Sequence, residues 1–247
     1  MTNAKRPYAV FDIDGTLIRW QLYHAVADAM VKRSIIDPKP YREVLAARDD
    51  WKTRQANNSF NEYEKSLIKL IENAIIGLDY EIFRQVCADV VKKYENQVYT
   101  FTRDLIAKLK NNNYLIFAIS ASPVELVSLV AGRYDFDDYG ASTFKVNNGK
   151  LDGRESLLLG EAKSHRLSQL IARHNADTNN SLAVGDTEGD IALLSRVDTP
   201  IAFNPSKELF DHAKTQGWTV VVERKNVVYQ LNYTNHGQYI LVPTEPK

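Results

Sequence analysis

Short apolar runs that stop at an acidic or hydroxyl residue, each followed by a helix signal, constrain this chain more than any other feature. Residues 7–12, Pro-Tyr-Ala-Val-Phe-Asp, form such a run and lead to Gly15, which predicts a buried strand ending at a turn. Residues 114–120 and 181–185 repeat the pattern, and a further strand is expected near 200–203. Helices are expected over 102–110, 161–174 and 189–196. Strands alternating with helices call for a mainly parallel sheet covered on both faces. Ser122-Pro123-Val124-Glu125 reads as a capping box with Pro at the first helical position, which makes Ser122 a helix cap. Asn147-Asn148-Gly149 reads as a hairpin turn. The tail alternates at Tyr229, Leu231 and Tyr233 and turns near Asn235-His236-Gly237, so a terminal hairpin is expected there.

One stretch breaks the rhythm. Leu22, Val26 and Met30 recur at helical spacing until Asp37-Pro38-Lys39-Pro40 interrupts them. A second helix is expected from Tyr41 to Arg54. Ser59 and Glu62 form a capping box ahead of Tyr63, Leu67 and Ile71. Gly77 ends that helix, and Asp79 starts another with Ile82, Val86, Val90 and Tyr94 on one face. Residues 18–98 thus read as a strandless helical insert. The expected fold is α/β, a doubly wound, mainly parallel, Rossmann-like sheet built from 1–17 and 99–247, with 18–98 as an all-helical cap.

Charge and cysteine content narrow the functional classes. The 247 residues carry 31 acidic and 31 basic side chains, so no basic field favours nucleic acid or an anionic membrane. The lone Cys87 cannot form an internal disulfide, which fits a reducing compartment. The first residues are polar, and the apolar run after them is short and interrupted by Asp12 and Asp14, unlike a signal peptide or membrane span. A cytoplasmic protein is expected.

Four local features resist a purely structural account. Asp12-Ile13-Asp14-Gly15-Thr16 puts two carboxylates on one face at a strand end, where a cation or a proton must reconcile them. The bland account is an Asp-Gly turn. Ser120 ends the next clear strand, where a hydroxyl and the following helix amides can hold a phosphate oxygen, or the strand can simply end. Lys163 lies near a helix start, where a cation opposes the macrodipole, although exposed lysines are common. Asp186 and Asp190 flank Glu188 at a strand-to-helix junction, a density of acids suited to a hard divalent ion. Ligands in open parallel sheets bind beyond the carboxyl ends of the strands, where these residues fall. Together they offer a nucleophile, a second acid, a hydroxyl, a cation and metal ligands, the set that phosphoryl transfer needs.

In order and spacing, these motifs resemble the haloacid dehalogenase (HAD) superfamily, and within it the phosphoserine-phosphatase-like subfamily IB. Phe11 to Leu17 matches the first motif, Ile119 to Pro123 the second, Lys163 the third, and Gly185 through Asp190 the fourth. Asn204-Pro205 also suits the subgroup, and the tail beyond about residue 218 falls outside the likeness. The resemblance implies a Mg2+-dependent phosphomonoester hydrolase acting on a small phosphorylated metabolite. Asp12 would be the nucleophile of an aspartyl-phosphate intermediate, and Asp14 the acid and base. Ser120, Ala121 and Lys163 would bind phosphate. Asp12, the Asp14 carbonyl, Asp186 and Asp190 would hold or anchor the metal. The cap would close over the site and select the leaving group.

Four departures bear on substrate. Gly15 stands where phosphoserine phosphatases usually carry Ser, Gln21 where they carry Glu for the substrate amine, and Gly189 where they carry Asn. The cap arginine that holds a carboxylate has no aligned match near 60–67, and Arg54 is the candidate substitute. These differences point away from L-phosphoserine as the preferred substrate. A phosphotransferase would share every residue and differ in acceptor. A phospholigand-binding module would not need both Asp12 and Asp14. A dehalogenase would need neither Asp14 nor Asp186. Trp20, Tyr23 and Trp51 can line a cap pocket, but helices carry core aromatics more often. The five histidines show no metal-ligand spacing.

Overall fold

A computed structural model describes residues 5–53, 59–234 and 237–242, with residues 59–61 as backbone only. The chain divides into two compact units. The first comprises Met1–Trp20, Tyr94–Ser142 and Leu157–Lys247, and the second Gln21–Lys93 with Thr143–Ser156.

The first unit is a twisted sheet. Its strands are β1 (Pro7–Phe11), β2 (Leu115–Pro123), the opening half of β3 (Asp138–Asn147), β5 (Asp177–Gly185), β6 (Thr199–Phe203), β7 (Thr219–Arg224), β8 (Val227–Tyr233) and β9 (Tyr239–Leu241). They lie in the order β3-β2-β1-β5-β6-β7-β8-β9. Pairing is parallel from β3 to β7 and antiparallel beyond. β1 can be apolar throughout because both its faces are covered. Tyr8 and Val10 join a core with Leu167 and Leu170 of helix α7 (Glu161–His174) and Leu209 of α9 (Lys207–Gln216). Phe11, of opposite parity, meets the ring of Phe136 at 6.3 Å. The connections run outward from β1 to β2 and β3, then return to β5 on its other side. The reversal opens a crevice at the carboxyl ends of β1 and β5. The doubly wound parallel sheet expected from sequence is present. The tail holds three strands rather than a hairpin alone, because the turn at Lys225, φ 56°, adds β7 to the ladder.

The second unit contains α1 (Leu22–Lys32), α2 (Pro38–Lys52), α3 (Ser59–Ile75) and α4 (Tyr80–Tyr94, whose last residue falls in the first unit), plus a hairpin of the end of β3 with β4 (Lys150–Ser156). The Asp37-Pro38-Lys39-Pro40 segment, read as a break, is where α2 begins. The Asp37 side chain accepts from Lys39 N at 2.8 Å and Pro38 takes the first helical position, where no amide partner is lost. The capping box read at Ser59 rests on a side chain outside the described residues, as does Arg54. On α4 the buried face is Phe83, Val86, Cys87 and Val90, while Ile82 is 46% exposed, one position off the expected stripe. The hairpin, assigned from sequence to the sheet domain, groups with these helices. Phe144 meets Phe83 edge-on at 5.7 Å, and Gly77 and Leu78 exchange backbone hydrogen bonds with Leu151 at 2.8 and 2.9 Å. Trp51 stacks on Tyr63 at 5.7 Å, and the buried His24 meets the same ring at 4.6 Å. Burial holds the His24 imidazole down at about 3, so it is neutral and structural. Among the described residues, no helix is long and apolar enough to cross a membrane.

Candidate active site

The site is built at the carboxyl ends of β1, β2 and β5. Asp12 follows the last residue of β1, and its amide donates to Val184 O of β5 at 3.0 Å. The chain then turns tightly, with Leu17 and Ile18 amides both donating to Ile13 O at 2.9 Å. Gly15 sits at φ +81°, and a Cβ there would lie 2.1 Å from Asp186 Oδ2. The left-handed backbone favours glycine, and a larger residue there would have to displace the Asp186 carboxylate. Thr16 Oγ1 donates to Asp186 Oδ1 at 2.9 Å, which ties the first loop to the fourth motif.

Lys163 joins the two halves of the site. It is 3% exposed, and its Nζ lies 2.8 Å from Asp12 Oδ1 and 2.6 Å from Asp190 Oδ1. The conflict with the helix dipole noted in the sequence is resolved by these two carboxylates. Burial disfavours the ammonium, but they outweigh it and push its pKa up. Asp190 is fully buried, and its Oδ2 accepts from the amides of Asp186 and Thr187, both at 3.1 Å, and from Thr187 Oγ1 at 3.3 Å. Four donors therefore engage Asp190. That suits an anchor for the loop and the lysine rather than a ligand with an oxygen to spare.

Asp12, Asp186 and Asp190 each bring a carboxylate oxygen within 4.8 Å of the others. Removal from water, with Asp190 and Asp14 nearby, pushes the Asp12 carboxyl up against the pull of Lys163. Burial first, then the charges of Asp12 and Asp190, raises Asp186 well above the usual carboxylate range. Like charges so placed call for a proton or a further cation. An all-oxygen donor set centred on Asp12 and Asp186 fits a hard divalent ion.

Asp14 turns elsewhere. Its Oδ2 accepts from Ser122 Oγ at 2.7 Å and Ser120 Oγ at 3.2 Å. The ladder between β2 and β3 is irregular between Ile119 and Pro123, the stretch that carries these hydroxyls. Ser120 and Ser122 alternate about Ala121, so both face one side, while the Ala121 carbonyl accepts from Ser142 Oγ at 2.7 Å. Ser122 is therefore not the expected helix cap. α6 (Val124–Arg133) starts from Pro123 without a side-chain cap, and the Ser122 hydroxyl is spent on Asp14. Its alternation with Ser120 was the available signal. Ser122→Ala should lower kcat several-fold to tenfold with little change in thermal midpoint, since one hydrogen bond to a charged group orients Asp14. Unchanged kcat would show that Ser120 alone suffices.

Gln21 belongs to the helical unit, where it precedes α1. Its carbonyl accepts from Ala25 N at 3.2 Å, and its side chain makes no capping bond.

The chain belongs to the haloacid dehalogenase-like hydrolase family, whose model matches residues 9–195. It is 24% identical over 223 residues to phosphoserine phosphatase SerB1 of Mycobacterium tuberculosis, covering 86% of this chain and 69% of that one. It is 22% identical over 225 residues to histidinol-phosphatase of Neisseria meningitidis serogroup C, covering 86% of this chain and 97% of the relative. Among solved structures, a phospho-aspartyl intermediate analogue of phosphoserine phosphatase matches with a TM-score of 0.62 at 21% identity, over 90% of this chain and 95% of that chain. At that identity the structural likeness establishes the fold.

Proposed function

We propose that this HAD-family hydrolase is a Mg2+-dependent phosphatase that cleaves small phosphomonoesters through an aspartyl-phosphate on Asp12. One observation carries the reading above the rest: the buried Lys163 ammonium is shared between Asp12 and Asp190, so the proposed nucleophile is fixed and a cation stands where phosphoryl charge would arrive. The relatives named phosphoserine phosphatase and histidinol-phosphatase agree with the reaction class without selecting a substrate.

In this reading an Asp12 oxygen attacks phosphorus and the bond from phosphorus to the leaving oxygen breaks. Asp14 gives its proton to that oxygen. Water then attacks the acyl-phosphate, Asp14 takes the water's proton, and inorganic phosphate leaves with Asp12 restored. Ser122 holds the Asp14 carboxylate in place, and Ser120, whose single proton goes to Asp14 here, would turn to the phosphoryl group when substrate binds. Ser120, the Ala121 amide and Lys163 receive the phosphoryl oxygens. Asp12, the Asp14 carbonyl and Asp186 would hold Mg2+, with Asp190 as anchor. The ion would offset charge on the phosphoryl oxygens. The helical unit plays the part of the family's cap. A lone, buried thiol, Cys87, fits a cytoplasmic setting.

Phosphate release from a panel of phosphomonoesters tests the reading. Turnover should appear with Mg2+, vanish in excess chelator, and be poorly supported by Ca2+, which accepts extra oxygens and misplaces the nucleophile. Full activity in chelator, or unaltered metal dependence in Asp186→Ala, would contradict it. L-phosphoserine should not lead the panel. A carboxylate at position 21 would give an ammonium a charge-assisted hydrogen bond of about 1.5–3 kcal/mol, against about 0.5–1.5 for a neutral one. Gln21 forgoes that difference, roughly tenfold in kcat/KM. A tenfold lead for phosphoserine would overturn this account of Gln21.

A further inference from the structure

The loop that carries Asp12 and Asp14 ends in a cation that the reaction above does not use. Ile18 is bridged through the backbone both to Asp14 and to Val98, and the amide of Arg19 donates to Gln97 O at 2.8 Å. The start of the Arg19 side chain is thereby pinned beside the reaction loop. Arg19 is exposed, and its guanidinium carbon stands 5.5 Å over the ring of Tyr99. That ring is itself fixed, edge-on to the buried Phe203 at 4.9 Å, and Phe203 stacks in turn on Phe101 at 5.6 Å. The platform is tied to the same loop through the backbone, since the Tyr99 amide donates to Leu17 O at 3.0 Å and the Gly15 amide donates to Ile18 O at 2.9 Å. All these residues belong to the sheet unit.

A guanidinium held over an aromatic face leaves N–H groups to bond elsewhere, and that fork matches a carboxylate or a phosphate. It also loses less freedom on binding than an unsupported side chain. Ion pairing with neighbours consumes other arginines of the chain, such as Arg173 with Asp138 at 2.9 Å, whereas the described side-chain contact of Arg19 is the Tyr99 ring. Local charge adds a reason for a cation here. Asp12, Asp186 and Asp190 cluster with Lys163, and Asp14 lies on the same loop as Asp12, so carboxylates outnumber the lysine and a leaving group bearing its own negative charge would be repelled from this end of the sheet unless a further cation offset it.

We propose that Arg19, on its Tyr99 platform, binds a second anionic group on the leaving alcohol, so that the preferred substrates are phosphomonoesters carrying a carboxylate or a second phosphate. This rests on the phosphatase reading above and adds a specificity residue to it.

Matched pairs separate the two claims. The full-length protein with Mg2+ is assayed on 3-phosphoglycerate against glycerol 3-phosphate, and on glucose 1,6-bisphosphate against glucose 1-phosphate. The expected result is a kcat/KM at least tenfold higher for the anionic member of one pair. The pair that shows it tells carboxylate from phosphate. In Arg19→Ala that ratio should fall about tenfold or more, chiefly through KM. Arg19→Lys should restore part of it, because charge is kept while the planar fork is lost. Raised salt should erode the preference of the unaltered protein. Reading each variant as a ratio within a pair separates recognition from any general loss of folding. A ratio near one in the unaltered protein, or a ratio unmoved by Arg19→Ala, overturns the role of Arg19 and leaves the phosphatase intact. Absence of phosphate release from every ester with Mg2+ overturns the phosphatase reading, and this inference falls with it.

Discussion

Asp12→Asn should reduce turnover at least a hundredfold while the protein stays folded. The amide is nearly isosteric with the carboxylate but is a poor nucleophile, so the covalent step is lost rather than slowed. Folding should not suffer. The amide oxygen of the variant can still accept from Lys163, which retains Asp190 at 2.6 Å as a charged partner. Removing one of three clustered carboxylates also relieves like-charge repulsion in a place shielded from water. The thermal midpoint of the metal-free variant should therefore equal or exceed that of the parent. Purified, folded Asp12→Asn that kept more than about a hundredth of the activity would remove Asp12 from the mechanism.

The second large effect concerns Lys163, where activity and stability should fall together. Lys163→Ala leaves Asp12 and Asp190 buried beside Asp186 with their shared ammonium gone. Breaking a buried pair by deleting one partner costs about 3–5 kcal/mol, because the remaining charge stays out of water. This site would strand two. The variant should unfold at markedly lower denaturant concentration and lose activity more severely than Lys163→Arg. Arginine keeps the charge, but its larger fork must enter a space where the lysine is 3% exposed, so partial function is expected. Mg2+ should restore part of the lost stability in Lys163→Ala, since it supplies another cation to the same carboxylates. Denaturant titrations with and without Mg2+ measure this. Equal, near-parental stability and rates in both variants would make Lys163 dispensable.

The residues at the strand ends were legible in the sequence because their signals are local. An apolar run that stops at Asp12, Ser120 or Asp186 announces both the strand and the side of the sheet where its last residue emerges. Lys163 stood out because a cation near a helix start contradicts local preference, and the structure supplies the two carboxylates that overrule it. Ser122 was misread because its sequence context fits a capping box equally well, and only the fold brings Asp14 to within 2.7 Å of its hydroxyl. The grouping of residues 143–156 with the helices was not legible either. It depends on Phe144 meeting Phe83 and Leu151 bonding to Gly77, contacts about 60–75 residues apart in sequence with no periodic trace. The start of α2 was hidden by its own prolines, which break a helix inside it but suit its first turn. Gly15 shows the reverse case. Its type is a departure from the resembled subgroup, while its closeness to Asp186 comes from the sheet, which brings that residue in from far along the chain.

The covalent intermediate is the centre of this account, and trapping it is the most direct measurement. The protein would be mixed with Mg2+ and a phosphomonoester labelled in its phosphoryl group, quenched in acid during turnover, digested and mapped by mass spectrometry. Label is expected on the peptide containing Asp12, labile to hydroxylamine as an acyl-phosphate is, and absent in Asp12→Asn. Label on a serine or histidine, or steady turnover with no hydroxylamine-labile label on Asp12 at any quench time, would contradict it.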